Sequence, residues 1–391
     1  MSAGLQQRRA QFAQKKRENR PSFRKRSDPN IPRSKSRSLD SPSNSVETTT
    51  TTTRDFEDSD LEAEVDPPDW QKLLDWEVLR LLKPKEKKRQ DVINELFHTE
   101  RTHVKNLKVL DKLFYRPLVQ SPELLPVDLL SLLFPNLDQM ISIHSAFNSA
   151  MKSRRKQEAL IGNVGPMMLH MLDGTSGEEL KEAAAIFCSN QSIALEMLKQ
   201  RQKKDQKVGQ FLSDAEAHPL CRRLQLKDII ATGFQRLTKY PLLLENIAKH
   251  TTPNTEEHSQ LLQALESSRN ILAHVNQAVK ETENMHRLAE LQRKVDKSSL
   301  DKQYKVVPHK ETTLDLTKHR MLYEGGLTWR LNKQKSLEVH VVLLEEILLL
   351  FQRQDDKLVL RNHNSSITAD TKVAYHPVLH VQNIFTRNVA V

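Results

Sequence analysis

The stretch LQLKDIIATGFQRLTKYPLLLENIA, Leu224 to Ala248, constrains this chain more than any other. Its apolar residues recur at helical spacing, yet Pro241 stands inside it. A proline in a helix interior removes one backbone hydrogen bond and costs about 3 kcal/mol, so the rod must be held by its surroundings. Leu242, Leu243, Leu244 and Ile247 follow the proline and predict a helix buried on nearly all sides. Gln235, Arg236 and Lys239 are interleaved among the Leu and Ile residues just before it.

The rest of the chain fits a mostly α protein. Only 9 Gly and 12 Phe in 391 residues argue against an all-β fold. Residues 1–66 read as a disordered low-complexity tail, with RSKSRSLDSPSNS followed by the Thr48–Thr53 run. Charge is uneven along it. Residues 1–40 carry 12 Lys and Arg, whereas residues 54–69 carry Arg54 against eight acids, within a net charge of +10. A basic tail can touch membranes or nucleic acid, but a solvated tail is the simpler reading, and no nucleic-acid partner is assigned.

Residues 67–86 read as one amphipathic helix, WQKLLDWEVLRLL, ended by Pro84. Residues 87–295 read as an elongated helical bundle. Helices are expected over Arg89–Phe114, Pro126–Lys156, Leu160–Leu172, Glu178–Lys203, Phe211–Ala217, the opening stretch, and Glu256–Leu291. A linker over 296–315 leads to an antiparallel β domain over 316–391. There YEGGLTWRL is a strand, and LEVHVVLLEEILLLFQRQDDKLVL is strand–turn–strand broken at Gln354, Asp355 and Asp356. No closing helix follows IFTRNVAV, so this β domain is expected to be incomplete, with an open core.

Covalent chemistry has no signature here. The chain carries no phosphate loop, no GxGxxG, no HExxH and no GxSxG. His98 and His103 are five apart and do not share a helix face, so no metal site is assigned, and no cofactor either. Cys188 and Cys221 read as ordinary thiols. The N-terminus lacks a signal-peptide core and no apolar run spans a bilayer, which predicts a cytoplasmic protein.

Several polar residues sit at positions that need an explanation. Glu100 falls on the apolar stripe of its helix and must be paired there, for example with Arg236. Glu95 lies about 200° from Ile93 around the helix and should face a partner or water. Arg222 and Arg223 adjoin a helix start, where the dipole disfavours cations, so an acid inside the protein or on a partner should compensate. Asn276, beside the apolar stripe of the last long helix, either satisfies an internal bond or faces a ligand.

Three segments together resemble a known family. They are RQDVINELFHTERTHVKNLKVL (Arg89–Leu110), FCSNQSIALEMLKQRQKKD (Phe187–Asp205) and CRRLQLKDIIATGFQRLTKYPLLLENI (Cys221–Ile247). They resemble the three homology blocks of Dbl-type guanine nucleotide exchange factors. The β domain is similar to the pleckstrin-homology domain that follows the bundle in that family. The WQKLL segment points to the Rho-specific subfamily that also carries a regulator-of-G-protein-signalling domain. No such domain is evident in residues 1–66, which suggests a partial chain or short isoform.

The resemblance implies a protein that is no enzyme in the covalent sense. It would stabilise the nucleotide-free state of a Rho-family GTPase, RhoA above all; the alternative is a non-catalytic Rho-pathway scaffold. It implies that Glu95 meets the first switch and Asn276 the region of the second. Arg222 and Arg223 would meet acids that favour RhoA over Rac or Cdc42. Trp70 would pack against the GTPase, and Gln235 and Lys239 would share that surface. Upstream G-protein subunits would act through domains absent here. Membrane recruitment could follow from phosphoinositide contact at Lys333 and Lys335, although a solvated turn is the simpler reading of two lysines. One departure stands out: the third block usually reads Pro-x-Gln-Arg, whereas here Gly233 precedes Phe234–Gln235–Arg236. Gly in a helix interior costs up to about 1 kcal/mol and is expected to loosen it.

Overall fold

A computed structural model describes residues 61, 69–296, 298–299, 314–330, 336–361, 363–368 and 371–387. The expected tail, apart from Leu61, and the lysines at 333 and 335 lie outside the described residues.

The segment read as one helix from Trp70 is two pieces. A 3-10 turn, Trp70–Leu73, is capped by the Asp69 carboxylate. Leu74 and Asp75 are extended, and α1 (Trp76–Leu81) follows. Asp75 sits at the N-cap of α1, a position Asp prefers to a helix interior. Leu73, Trp76 and Leu81 are exposed, so these apolar positions do not form a buried stripe.

The bundle begins with α2 (Pro84–Val109), whose Pro occupies the first turn, where its missing N–H costs nothing. A π turn (Leu110–Tyr115) and a last α turn (Arg116–Gln120) extend it. The segment expected over Pro126–Lys156 is two helices, α3 (Val127–Leu133) and α4 (Leu137–Gln157). Pro135 explains the break: the residue before a proline is pushed out of the α region, and Phe134 has ψ 50°. Then come α5 (Gly165–Leu172), α6 (Gly174–Ser189) and α7 (Gln191–Lys204), so Glu178–Lys203 also divides, at Asn190. α8 (Gln206–Glu216), α9 (Leu226–His250) and α10 (Glu256–Lys294) complete the series.

α9 runs unbroken through Pro241, which is buried. Leu243, Leu244 and Ile247 are buried as well, but Leu242 is 65 % exposed. The helix is therefore two-faced rather than buried all round, and its open face is available to the site described below.

The β domain opens with β1 (Met321–Arg330), β2 (Ser336–Leu344), β3 (Ile347–Gln354) and β4 (Lys357–Leu360), antiparallel in that order. β5 (His363–Thr368) and β6 (Thr371–Tyr375) pair with each other, and β7 (Val378–His380) pairs with β3. The turn expected at Gln354–Asp356 is present, with Asp355 left-handed at φ 52°. A second turn at Glu345–Glu346 splits what read as one strand into β2 and β3.

Two apolar cores result. One fills the bundle around Ile93, Leu96, Phe114, Leu180, Ile230 and Leu244. The other lies under the sheet and includes Leu288 and Leu291 from the end of α10, packed with Val342, Leu349, Phe351 and Leu360. The sheet core that was expected to be open is thus covered on this side by the bundle's own last helix. No helix among the described residues is long and apolar enough to cross a membrane.

Candidate functional site

Beneath the outer face of α2 and α9 lies a buried ionic strut. Glu100, fully buried, accepts hydrogen bonds from Arg236 Nε and Tyr240 Oη on α9, each at 2.7 Å, through Oε2. Its Oε1 lies 2.7 Å from His144 Nδ1 on α4. Arg236 continues outward, donating to Thr99 Oγ1 at 2.6 Å, and its guanidinium lies 4.2 Å from the Tyr240 ring centroid. Burial alone would raise the Glu100 carboxyl. The Arg236 charge and the His144 contact outweigh it and hold the group well below the usual carboxylate range. The pairing expected for Glu100 is therefore present, and it joins three helices rather than two.

His144 and Tyr240 escaped the sequence reading. The signal was there: Met140, His144, Phe147 and Met151 share one buried stripe of α4, and Tyr240 follows Arg236 by one helical turn. His103 stacks edge-on against His144 with ring centroids 4.4 Å apart. Burial, then the neighbouring His144, pushes the His103 imidazole well below its ordinary value, so it stays neutral.

Above this strut runs an open groove of about 650 Å³. α2 lines it with Glu95, His98, Thr99 and Asn106; α9 lines it with Thr232, Gln235 and Lys239. Glu95 and Lys239 are both half exposed and 3.9 Å apart across the groove. Three residues singled out in the sequence, Glu95, Gln235 and Lys239, thus come together on one face. Trp70 also lines the groove, yet it is buried and donates its indole N–H to Asp91 at 2.8 Å. A partner would meet it only after a local opening.

Arg222 and Arg223 do not begin the helix. They form a turn between a 3-10 segment (Pro219–Cys221) and α9, both left-handed at φ 50° and 66°. Such backbone costs on the order of 1–3 kcal/mol for each non-glycine residue. Arg222 Nη2 donates to Asn106 Oδ1 at 2.9 Å, which places it at the groove's end, and Arg223 is exposed. Acids at this helix start serve its backbone N–H groups rather than the two arginines. Asp228 and Gln225 form a capping box at the start of α9, and Glu216 accepts from Leu226 N. Lys105, buried near this end, is pushed down by burial and then by the charges of Arg222 and Arg101. Asn276 is exposed on α10 and outside the groove lining.

Gly233 has a steric role. A Cβ there would stand 2.8 Å from Phe187 Cε1, and Phe187 is 1 % exposed in the bundle core. The glycine lets α9 rest directly on that ring. The expected loosening is met instead by close packing. Cys188 and Cys221 are buried free thiols, pushed by burial up to about 12 and about 11.

Comparison with known proteins places this geometry. Residues 92–276 match the RhoGEF domain and residues 307–391 a PH domain. Human Rho guanine nucleotide exchange factor 12 is 49 % identical over 331 residues, covering 84 % of this chain and 21 % of the relative. Human Rho guanine nucleotide exchange factor 11 is 44 % identical over 369 residues, covering 93 % of this chain and 24 % of the relative. The chain therefore spans between a fifth and a quarter of these curated relatives. The PDZ-RhoGEF DH/PH domains, solved in complex with GTP-gamma-S activated RhoA, superpose with a TM-score of 0.75 at 44 % identity, over 83 % of this chain and 88 % of that one. The DH/PH domains of p115-RhoGEF superpose with a TM-score of 0.71 at 42 % identity, over 84 % and 89 %. A helical bundle matched by the RhoGEF domain, a following PH domain, and this degree of identity lead to one conclusion: the chain belongs to the RhoGEF family.

Proposed function

We infer that the chain is a guanine nucleotide exchange factor that speeds GDP release from a Rho-family GTPase, RhoA in particular. The observation that carries this reading is the groove. Glu95, Gln235 and Lys239 stand side by side on an open face that the Glu100–Arg236 strut holds from beneath. A relative 44 % identical over 83 % of this chain has been solved with RhoA bound.

The mechanism is linkage and needs no bond made or broken. A partner that binds the empty GTPase better than the loaded one weakens nucleotide binding by the same factor. Each tenfold weakening requires about 1.4 kcal/mol of contact made only with the empty state. In this reading Glu95 meets a polar group of the first switch, with Lys239 keeping its carboxylate oriented. Arg222 and Arg223, held out by strained backbone, meet carboxylates that select RhoA. Asn276 would belong to a second contact area on α10. The protein would work in the cytoplasm and at the plasma membrane.

Release of fluorescent GDP from RhoA, Rac and Cdc42 tests the reading. Acceleration with RhoA and little with the other two is expected. No acceleration of any of them would leave the scaffold reading in its place.

A further inference from the structure

α10 belongs to two cores in succession. Leu261, Leu265, Ile271 and Val275 are buried in the bundle; Leu288 and Leu291 are buried under the sheet. Between Val275 and Leu288 no residue of the helix is fully buried, and the partly buried Ala278 and Val279 are the last to pack against the bundle core before Leu288. At 1.5 Å per residue this stretch is roughly 18 Å long, and the whole helix of 39 residues roughly 58 Å. A helix that has left one core before entering the next is where such a rod can bend, so the direction of the sheet depends on what braces that point.

A polar cluster braces it. Arg287 donates from Nε and Nη2 to the two oxygens of Glu324 on β1, at 2.8 and 2.7 Å, and from Nη1 to Glu290 at 2.8 Å. Glu324 Oε1 also lies 2.8 Å from His340 Nε2 on β2. The other ring nitrogen of His340 lies 3.4 Å from Arg353 Nη2 on β3. Asn284, one turn earlier on α10, donates to Met321 O at 3.3 Å. The paired geometry fixes direction as well as distance, because a two-pronged guanidinium–carboxylate contact tolerates little rotation. Glu324 and His340 are themselves largely buried, so the carboxylate cannot follow Arg287 if the helix swings. Arg287 is raised above its already high value by the Glu324 hydrogen bonds, and Glu324 is lowered by the same contact.

We propose that Arg287, Glu324 and His340 form the joint that sets the angle of the sheet domain against the exchange groove, making Arg287 a positioning residue for exchange. This rests on the functional reading above, because the sheet can affect exchange only if the groove is where the GTPase docks. Apolar contacts of Leu288 and Leu291 attach the sheet; the ionic cluster chooses its direction.

The test uses the full chain with spin labels at Lys249→Cys, at the far end of α9, and Asp356→Cys, on the β3–β4 turn; both native side chains are exposed. Cys188 and Cys221 are buried and stay unlabelled. Arg287→Glu is expected to broaden the label–label distance distribution and slow GDP release from RhoA several-fold, with the chain still folded at the assay temperature. The exchanged pair Arg287→Glu with Glu324→Arg should recover both in part, because Glu290 then faces a second carboxylate and His340 a guanidinium. Arg287→Gln gives a milder version should the reversal fold poorly. An unchanged distribution in both single variants overturns the joint, and so does a broadened one with exchange at the original rate. If the unsubstituted chain releases no GDP from any Rho GTPase, the functional reading fails instead, and the distance data judge the joint alone.

Discussion

Arg236 Nε donates to Glu100 Oε2 at 2.7 Å, with both side chains out of water and on different helices. Neither charge can be removed alone without stranding the other. Glu100→Ala should therefore destabilise the chain by about 3–5 kcal/mol, the typical cost of an uncompensated buried charge. Urea denaturation followed by circular dichroism checks this. A loss below about 1 kcal/mol, the range of exposed pairs, would show that water reaches Arg236.

Glu95 makes the contrasting case on the same helix. Its pair with Lys239 is 3.9 Å long and half exposed on both sides, so it adds no more than about 1 kcal/mol to stability. Glu95→Ala should leave the denaturation midpoint almost unmoved and lower GDP release from RhoA at least tenfold. A fall in stability that matched Glu100→Ala would make Glu95 a structural residue.

The contrast between these two glutamates was legible in the sequence, because helical periodicity fixes which side of α2 each faces. Periodicity also gave the bundle, and the Val, Ile and Leu richness gave part of the sheet, with β2 and β3 read as one strand. The break at Phe134 was legible in Pro135, but periodicity could not show that Leu242 is exposed or that Asn190 breaks a helix. Those depend on which neighbour covers a face and on local backbone choices. The third partner of Glu100, His144, lies 44 residues away, and no spacing rule connects them. Arg222 and Arg223 were located by charge, but their left-handed turn was not visible, since neither residue type favours it.

Gly233→Ala should destabilise despite the better helix propensity of alanine. Propensity favours the change by up to about 1 kcal/mol, but the new methyl would stand 2.8 Å from a ring that is itself locked in the core. Overpacking of this kind costs about 1–3 kcal/mol, so a net loss is expected. Combining it with Phe187→Leu should cost less than the two single losses added, since the smaller side chain makes room. A net gain from Gly233→Ala alone would mean that Phe187 can shift.

Arg222→Glu tests selectivity. Its side chain reaches the buried Asn106 at the groove's end, so the substitution breaks one part-buried hydrogen bond and reverses one charge. RhoA exchange should fall tenfold or more, with a smaller effect of added salt on what remains, because long-range attraction is screened. Unchanged exchange would remove this turn from the docking surface.

The buried network also sets a pH dependence of stability, and both groups act in the same direction. Glu100 is held below the ordinary carboxylate range in the folded chain, so its contribution is present above about pH 4.3 and is lost as pH falls toward the folded value. His103 is likewise lowered, by burial first and His144 second. The unfolded chain therefore takes up a proton below about pH 6.5 while the folded chain does not, and stability declines by up to about 1.4 kcal/mol per pH unit below that point. The urea midpoint should consequently be lower at pH 5.5 than at pH 7.5, before any carboxylate titrates. His103→Leu should flatten that interval while leaving the steeper loss near pH 4 in place, because Glu100 keeps Arg236 as its partner. An interval equally steep in His103→Leu would assign the titration to a different histidine.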